Sequence, residues 1–282
     1  MVLHCAGPFS ATAQPMLDAC LLQKAHYLDI SGEFDVMETI ASRDSELKAA
    51  GVMAVCGVDM DVVPTDCLAM RMKPHVPDAK RLDIFIHGLQ KLSAGTIMTM
   101  IESAGLPNTV RHGGRLVQRP AGSDRRKVNI AGRHISMVSL PWGDISTAWY
   151  STGIPDIAVH LSLLPGTPIA IAMSRHFRWL MQSAFVQRLL NGATRRFVNG
   201  PTAIERAANR CEFVAEVLDS AGQVRRAYLR TRDSYGFTFA SASAIASRVL
   251  GGVVTPGFQT PGSLLGADFV LEIGGSVRHD LD

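Results

Sequence analysis

Although the chain of 282 residues contains 25 glycines, no two of them are separated by a single residue. The G-x-G core of the loop that holds the pyrophosphate of a dinucleotide is therefore absent, and so is the Walker pattern of P-loop proteins. In both loops, glycines let the backbone approach phosphate groups at the N-terminus of a helix. The sequence thus predicts no phosphate cradle within these residues.

Paired cysteines, strong charge and long apolar runs are also missing. The five cysteines form no C-x-x-C pair, and their spacing predicts reduced thiols with no disulfide framework and no metal site. The net charge of +3 is too small to favour nucleic acid as a partner. The most apolar stretch, residues 159–173, is interrupted by two prolines and a glycine and is no candidate membrane span. With no leader peptide visible after Met1, these features favour a cytoplasmic protein.

Residues 2–58 alternate between apolar strands and helices. The predicted strands are 2–5, 26–30 and 52–58. Their continuous rather than alternating apolar pattern is typical of strands covered on both faces, as in a parallel sheet between helices. One helix is expected to be capped at Ser10 or Thr12 with Pro15 in its first turn, and a second to end before Gly51. The resulting β-α-β-α-β order is half of a doubly wound nucleotide-binding fold.

After residue 66 the pattern becomes that of a sheet with one open face. Residues 79–89 alternate as a strand does, and 211–233 reads as a hairpin around a Ser-Ala-Gly turn. Helices are predicted over 93–105 and 239–252. The fold class is therefore α/β plus α+β: a truncated Rossmann-type parallel sheet, followed by a second domain on a largely antiparallel mixed sheet.

Three segments follow from this organisation. Residues 1–67 are expected to form the C-terminal half of a Rossmann-like nucleotide-binding domain. Residues 68–235 are expected to form an α+β domain for substrate binding or dimerisation, and residues 236–282 a helix and strand that return toward the first part.

Several motifs together carry a family resemblance. They are "VLHCAGPF" (2–9), "HYLDISGE" (26–33), "GVDMDVVPTD" (57–66), "LSAGTIMTMIE" (92–102), "PWGDISTAWYSTGIP" (141–155) and "GFQTPGSLLGADFVLEI" (257–273). In this combination the chain resembles the saccharopine dehydrogenase-like oxidoreductases, and within them the branch called trans-acting enoyl reductases. The resemblance extends from the first residues to the last.

The resemblance implies an NAD(P)-dependent oxidoreductase, with NADP or NAD as cofactor. It would reduce a C=C or C=N bond in a hydrophobic substrate such as a lipid or acyl chain. Family members carry further residues ahead of this point, which hold the glycine-rich turn. The alternative is a non-catalytic remnant or fragment that keeps a binding or dimerisation domain. An in-frame glycine-rich segment upstream of Met1 in the gene would favour the enzyme, and a nearby stop codon the remnant.

The same resemblance suggests which residues line the cofactor. It assigns the nicotinamide end to the loop formed by Ala6, Gly7, Pro8 and Phe9, although a plain strand-to-helix turn is the alternative. Tyr27 and Asp29 share one face of a strand, because alternate residues point the same way. Polar side chains at the C-terminal end of such a strand lie where α/β sheets bind ligands. A structural hydrogen bond is the alternative. The family pattern adds Gly32 and Glu33 to this loop.

Hydride reduction needs a proton donor near the accepting atom, and Tyr27 and Asp61 are the candidate catalytic residues. Asp61 could orient a substrate or a water, or it could cap the next helix. The sequence departs from the family at Asp59, where glycine is usual, and at Met60, where phenylalanine is usual. A carboxylate at residue 59 would repel phosphate or disrupt a glycine-only turn.

Residues 175–196 combine arginines with large apolar side chains, and no acidic residue occurs between Asp156 and Glu205. This pattern fits an ordinary amphipathic surface helix. It also fits a helix that contacts lipid headgroups or covers an acyl substrate, which would place the protein at the periphery of a membrane. A further expectation concerns residues 2–5: without a neighbouring strand they leave an open sheet edge, which favours a homo-oligomer.

Overall fold

The computed structural model describes residues 1–89, 97–98, 101, 106–162, 179, 183–197 and 200–281. Most of the helix predicted over 93–105 and most of residues 175–182 lie outside the described residues, although residues 97, 98 and 101 are described and are helical. Among those described, no helix has both the length and the apolar character that a membrane span requires.

The secondary structure begins with short βα units and continues with longer strands. The strands are β1 (Val2–His4), β2 (Tyr27–Asp29), β3 (Met53–Val55), β4 (Arg81–His87), β5 (Asn108–His112), β6 (Arg115–Arg119), β7 (Arg125–Ile130), β8 (Arg133–Ser139), β9 (Asp156–Ser162), β10 (Arg210–Leu218), β11 (Val224–Arg232), β12 (Gly257–Gln259) and β13 (Val277–Leu281). The helices are α1 (Phe9–Leu22), α2 (Phe34–Ala41), α3 (Asp44–Ala50), α4 (Val63–Met72), α5 (Asp144–Thr152), α6 (Ala184–Phe197), α7 (Ala203–Ala208), α8 (Ser234–Leu250), α9 (Pro261–Leu265) and α10 (Phe269–Glu272).

The first sheet is parallel and has the order β1-β2-β3-β12. Both of its faces are buried, as the continuous apolar strands predicted. Tyr27 and Ala54 belong to one apolar cluster, which includes residues of α1, α2 and α3. Leu28 and Val55 belong to the other, which continues into the second sheet. The chain therefore has a Rossmann-type parallel layer whose last strand comes from its C-terminal part.

The second sheet is mixed. Its strands run in the order β13-β11-β10-β4-β9-β5-β6, and a β7–β8 hairpin joins β9 through β8. All pairs are antiparallel except β4 with β9. The predicted hairpin over 211–233 is present as β10 and β11. This sheet confirms the largely antiparallel second layer.

Two helices differ from the prediction at their N-terminal ends. α1 begins at Phe9, before Ser10 and Thr12, so that Pro15 lies inside the helix rather than in its first turn. The early start has a cause distant in sequence, since the Glu33 carboxylate accepts the backbone N–H groups of Phe9 and Ser10.

The other difference concerns α8, which begins at Ser234 rather than at residue 239. The Asp233 side chain caps it by accepting the Gly236 N–H at 2.9 Å. The predicted helix ends are correct. α3 ends before Gly51, which has a left-handed φ of 68°, and α8 ends before the glycine pair at 251 and 252.

The C-terminal ends of β1, β2 and β3 lie at one edge of the parallel sheet, because these strands run in the same direction. α4 starts just beyond β3 and packs against α5 and against the strands β10 and β11 of the second sheet. α8 also reaches this edge, where Thr238 accepts the Met60 N–H at 3.3 Å. Residues of both sheets therefore meet around the loop that follows β3.

Candidate functional site

Asp29 ties together two of the loops at this edge. Its carboxylate accepts the Tyr27 hydroxyl at 2.9 Å, the Ser31 N–H at 3.1 Å and the Gly57 N–H at 2.9 Å. Both Tyr27 and Asp29 are fully buried. Burial raises the pKa of the Asp29 carboxyl, and burial with the nearby Asp29 charge raises the pKa of Tyr27. This arrangement is the structural hydrogen bond that the sequence left open as an alternative.

Asp61 has a different environment. Its side chain is partly exposed, and its hydrogen bonds to the described residues run through its backbone N–H and C=O. A Cβ atom added at Gly32 would lie 2.8 Å from Asp61 Oδ2, so the carboxylate lies directly over the backbone of the loop after β2. Burial raises the pKa of Asp61 to about 6. The N-cap of α4 is Val62, and no side chain caps this helix, so Asp61 does not serve as its cap.

Asp59 is a buried residue that stabilises the same loop. It is 6% exposed and accepts the Asp61 N–H at 3.2 Å. Burial and the neighbouring Asp61 charge raise the pKa of Asp59 well above its ordinary value. Among the described non-glycine residues, only Lys24 and Ala131 have positive φ, so Asp59 does not occupy a glycine-only conformation. Of the two effects expected for a carboxylate at residue 59, disruption of a glycine-only turn is therefore wrong.

The loop between β1 and α1 is held by hydrogen bonds to Thr12 and by Glu33. Thr12 Oγ1 donates to the carbonyls of Ala6 at 2.8 Å and Pro8 at 3.0 Å, which are alternative acceptors for one proton. The Phe9 ring packs edge-on against the His4 ring with centroids 5.3 Å apart. A Cβ atom added at Gly7 would lie 3.6 Å from the Phe9 ring, an ordinary van der Waals contact, so Phe9 packs beside this glycine.

Glu33 occupies the N-terminus of α1. Its two carboxylate oxygens accept the Phe9 N–H at 3.3 Å and the Ser10 N–H at 2.9 Å. These N–H groups are the kind that bind phosphate at the start of a helix. The structure therefore gives Glu33 the position that an anionic ligand would otherwise take.

Polar residues that the sequence did not identify lie behind Asp61. Trp142 is 8% exposed and donates its indole N–H to the Asp61 carbonyl at 2.9 Å. Asp66 accepts the Ser151 hydroxyl and the Gly262 N–H, each at 2.6 Å. Within the described ranges, no group of three or more His, Cys, Asp or Glu residues could hold a metal ion. No local pattern marks these residues, because their partners lie far away along the chain.

Of the 175–196 stretch, the structure describes residue 179 and, from residue 183 on, most of α6. Phe185 and Leu189, one helical turn apart, are 70% and 63% exposed. Trp179, described on its own, is 74% exposed. The amphipathic character is thus present on α6, and contact of this stretch with lipid stays a prediction.

Comparison with known proteins identifies solved structures with the same fold and a relative whose sequence matches over a short segment. No protein-family model matches the chain. A probable mitochondrial saccharopine dehydrogenase-like oxidoreductase of Arabidopsis thaliana is 33% identical over 67 residues. That match covers 23% of this chain and 15% of the relative's own length.

Two solved structures share the fold over almost the whole chain. The apo saccharopine dehydrogenase (L-Glu forming) of Saccharomyces cerevisiae superposes with a TM-score of 0.62 at 9% identity, covering 99% of this chain and 85% of that one. The homospermidine synthase of Legionella pneumophila, solved in complex with NAD, gives a TM-score of 0.54 at 9% identity, covering 99% and 75%. The chain has the Rossmann-like fold of saccharopine dehydrogenase.

Proposed function

We propose that this chain is an oxidoreductase of the saccharopine dehydrogenase-like type that uses NAD or NADP. The observation that carries the proposal is the Asp61 carboxyl group, which is partly exposed and lies over Gly32 at the C-terminal edge of the parallel strands. Open α/β sheets bind their ligands at this edge. The fold shared with saccharopine dehydrogenase and the 67-residue match to a saccharopine dehydrogenase-like protein support the same assignment.

The residues at this edge fit the nicotinamide half of the cofactor better than its pyrophosphate. The backbone at Gly7 and the carboxyl group over Gly32 would receive the nicotinamide ring. The N–H groups of α1 that could hold phosphate are already bonded to Glu33. When bound, the cofactor supplies or accepts a hydride.

The chain itself contributes a proton to the reaction, and Asp61 carries that proton. Burial raises the pKa of Asp61, so its carboxyl group holds this proton to a higher pH than a solvated carboxyl group would and can donate it. Tyr27, the other candidate, is fully buried and already donates its hydroxyl proton to Asp29. In this proposal Asp61 is therefore the catalytic acid, and Tyr27 orients Asp29.

The finer assignment is reduction of a C=C or C=N bond in a hydrophobic substrate, as in the trans-acting enoyl reductase branch. It is supported by the motifs that run from "VLHCAGPF" (2–9) to "GFQTPGSLLGADFVLEI" (257–273). The exposed apolar side chains of Phe185 and Leu189 on α6 could contact a hydrophobic substrate or a lipid surface.

The test is a fluorescence titration of the 282-residue chain with NADH, NADPH and reduced nicotinamide mononucleotide. We expect saturable binding with a Kd of about 1 mM or tighter. The mononucleotide should bind within about threefold of NADH, because the described residues offer the second phosphate no helix N-terminus. Absence of saturable binding to all three would contradict the proposal and favour a non-catalytic remnant.

A matched pair of glycine variants locates the site. In Gly32→Ala the new methyl group would lie 2.8 Å from Asp61 Oδ2 and must displace the carboxylate. We expect binding at least about tenfold weaker, which corresponds to about 1.4 kcal/mol. Gly192→Ala places its methyl group in open space and should leave the Kd unchanged. Equal affinities for both variants would place the ligand elsewhere.

A further inference from the structure

The peptide groups of Asp61 are held from two directions. The Asp61 N–H donates to Asp59 Oδ1 at 3.2 Å, and the Asp61 carbonyl accepts the Trp142 indole N–H at 2.9 Å. The carboxylate lies over Gly32, and the side chain is partly exposed. The backbone is thus fixed by its neighbours, whereas the reactive group stays available at the edge of the site.

Trp142 is itself held in place by the second sheet and by α5. The Leu140 N–H donates to the Val159 carbonyl of β9 at 3.1 Å, and the Trp142 carbonyl accepts the Ile145 N–H at 3.1 Å. The segment around Trp142 therefore connects the mixed sheet to the loop that follows β3 in the parallel sheet.

The glycine after Trp142 explains how the two parts come so close. A Cβ atom added at Gly143 would lie 3.0 Å from Met37 Cε and 3.2 Å from Val62 Cγ2. These distances are shorter than an ordinary side-chain contact, so a larger residue would push the segment away from α2 and from Val62. The absence of a side chain at Gly143 lets the Trp142 indole reach the Asp61 carbonyl.

We propose that Trp142 is a positioning residue, which holds the Asp61 carboxyl group over Gly32 through its indole hydrogen bond to the Asp61 backbone. The inference rests on the proposed role of Asp61 as the catalytic acid. It links the mixed sheet to the chemistry of the parallel sheet through a hydrogen bond between residues 81 positions apart.

The ionisable groups around Asp61 make its pKa a sensitive reporter of position. Asp59 on the same loop, Asp144 on α5 and Cys211 on β10 all feel the Asp61 charge, and each has a raised pKa. None of these groups is cationic, so the pKa of Asp61 is set mainly by how far water is kept from it. Movement of the carboxyl group toward solvent must lower its pKa.

The experiment compares Trp142→Phe with Trp149→Phe by carbon-13 NMR of the aspartate carboxyl groups, with Asp61→Asn assigning the signal. Phenylalanine keeps an aromatic ring at residue 142 but removes the indole N–H. We expect the pKa of Asp61 to fall from about 6 by about one unit in Trp142→Phe, because the freed loop exposes the carboxyl group. Trp149, whose ring contacts the Arg111 guanidinium at 5.3 Å, is the matched control and should leave that pKa unchanged.

Two outcomes separate positioning from simple packing. If Trp142→Phe lowers stability but leaves the pKa of Asp61 where it was, Trp142 is a core residue only and the inference is wrong. If the pKa falls while the wild-type chain binds no nicotinamide nucleotide, the positioning role stands and the proposed function fails. If the wild-type chain binds reduced nicotinamide mononucleotide, Trp142→Phe should weaken that binding at least about fivefold. An unchanged affinity would again refute the inference.

Discussion

At the scale of single residues, the Asp61 carboxyl group makes stability depend on pH. Its pKa is about 6 in the folded chain, against about 3.9 in an unfolded one. Between these values the folded chain keeps a proton that the unfolded chain has released. The free energy of unfolding therefore falls as the pH rises from about 4 to about 6, and this contribution is constant above that range. Asp29 and Asp59 have raised pKa values and act in the same direction.

The variant Asp61→Asn should remove the Asp61 part of this dependence, because asparagine resembles the protonated carboxyl group. We expect the free energy of unfolding to rise by about 2–3 kcal/mol at pH 8 and by less than about 1 kcal/mol at pH 4. Urea unfolding at both pH values measures the difference. Asp18→Asn, whose side chain is 62% exposed, is the control and should show no such gain. A gain of equal size at both pH values would contradict a raised pKa at Asp61.

Sequence alone located this carboxyl group but not its surroundings. Strand periodicity places Tyr27 and Asp29 on one face, and in the structure Tyr27 begins β2 and Asp29 ends it. Whether they face a ligand or each other depends on the Gly57 N–H, which lies 28 residues further along. The contact between Trp142 and Asp61 spans 81 residues and has no local signature at all.

At the scale of secondary-structure elements, Arg111 connects β5 to the helices α2 and α5. It is 4% exposed and donates to the Ile145 carbonyl at 2.6 Å, to the Gly114 carbonyl at 2.8 Å and to the Glu38 carboxylate. Glu38 also accepts the Ser146 hydroxyl at 2.7 Å. Three elements thus share one ion pair, in which Arg111 is buried and Glu38 is partly exposed.

Replacing Arg111 with lysine should be costly although the charge is kept. The planar guanidinium group bonds in three directions, whereas an ammonium group cannot reproduce that geometry. We expect the free energy of unfolding to fall by about 2–4 kcal/mol, because Glu38 is left incompletely paired. Denaturant unfolding gives the value, with Arg115→Lys as the exposed control. A loss of less than about 1 kcal/mol would show that the contacts of Arg111 with α2 and α5 add little to the stability of the fold.

Elements were more predictable than their ends. The β-α-β-α-β order follows from continuous apolar strands and from breakers such as Gly51, which adopts the left-handed φ expected after a helix. The start of α1 depends instead on Glu33, more than 20 residues away, whose carboxylate bonds the first N–H groups. Where the first residue of a helix depends on such a distant partner, it cannot be predicted from the residues of the helix itself.

At the scale of the whole molecule, the two sheets share strands that are distant in sequence. β12 pairs with β3 in parallel, although about 200 residues separate them. Local patterns predict a strand but not its partner, so this fourth position in the parallel sheet could not be assigned from the sequence. The opposite side of the sheet ends at β1, which within the described residues pairs only with β2.

The unpaired side of β1 should lead to association between copies of this chain. The Val2 N–H and the His4 carbonyl bond to the β2 side, so Leu3 between them directs its N–H and C=O outward. Open edges of this kind pair with other strands. Light scattering of the purified 282-residue chain should therefore give a mass above that of a monomer.

Proline at residue 3 tests this edge directly. It removes only the outward N–H and is tolerated at an edge position, so the fold should persist. We expect Leu3→Pro to shift the chain toward a monomer, while Leu3→Val, which keeps the N–H group, should associate as the wild type does. The circular dichroism spectrum checks that both variants stay folded. If the folded wild type is a monomer, or if folded Leu3→Pro associates as strongly as the wild type, the contact between copies does not use β1.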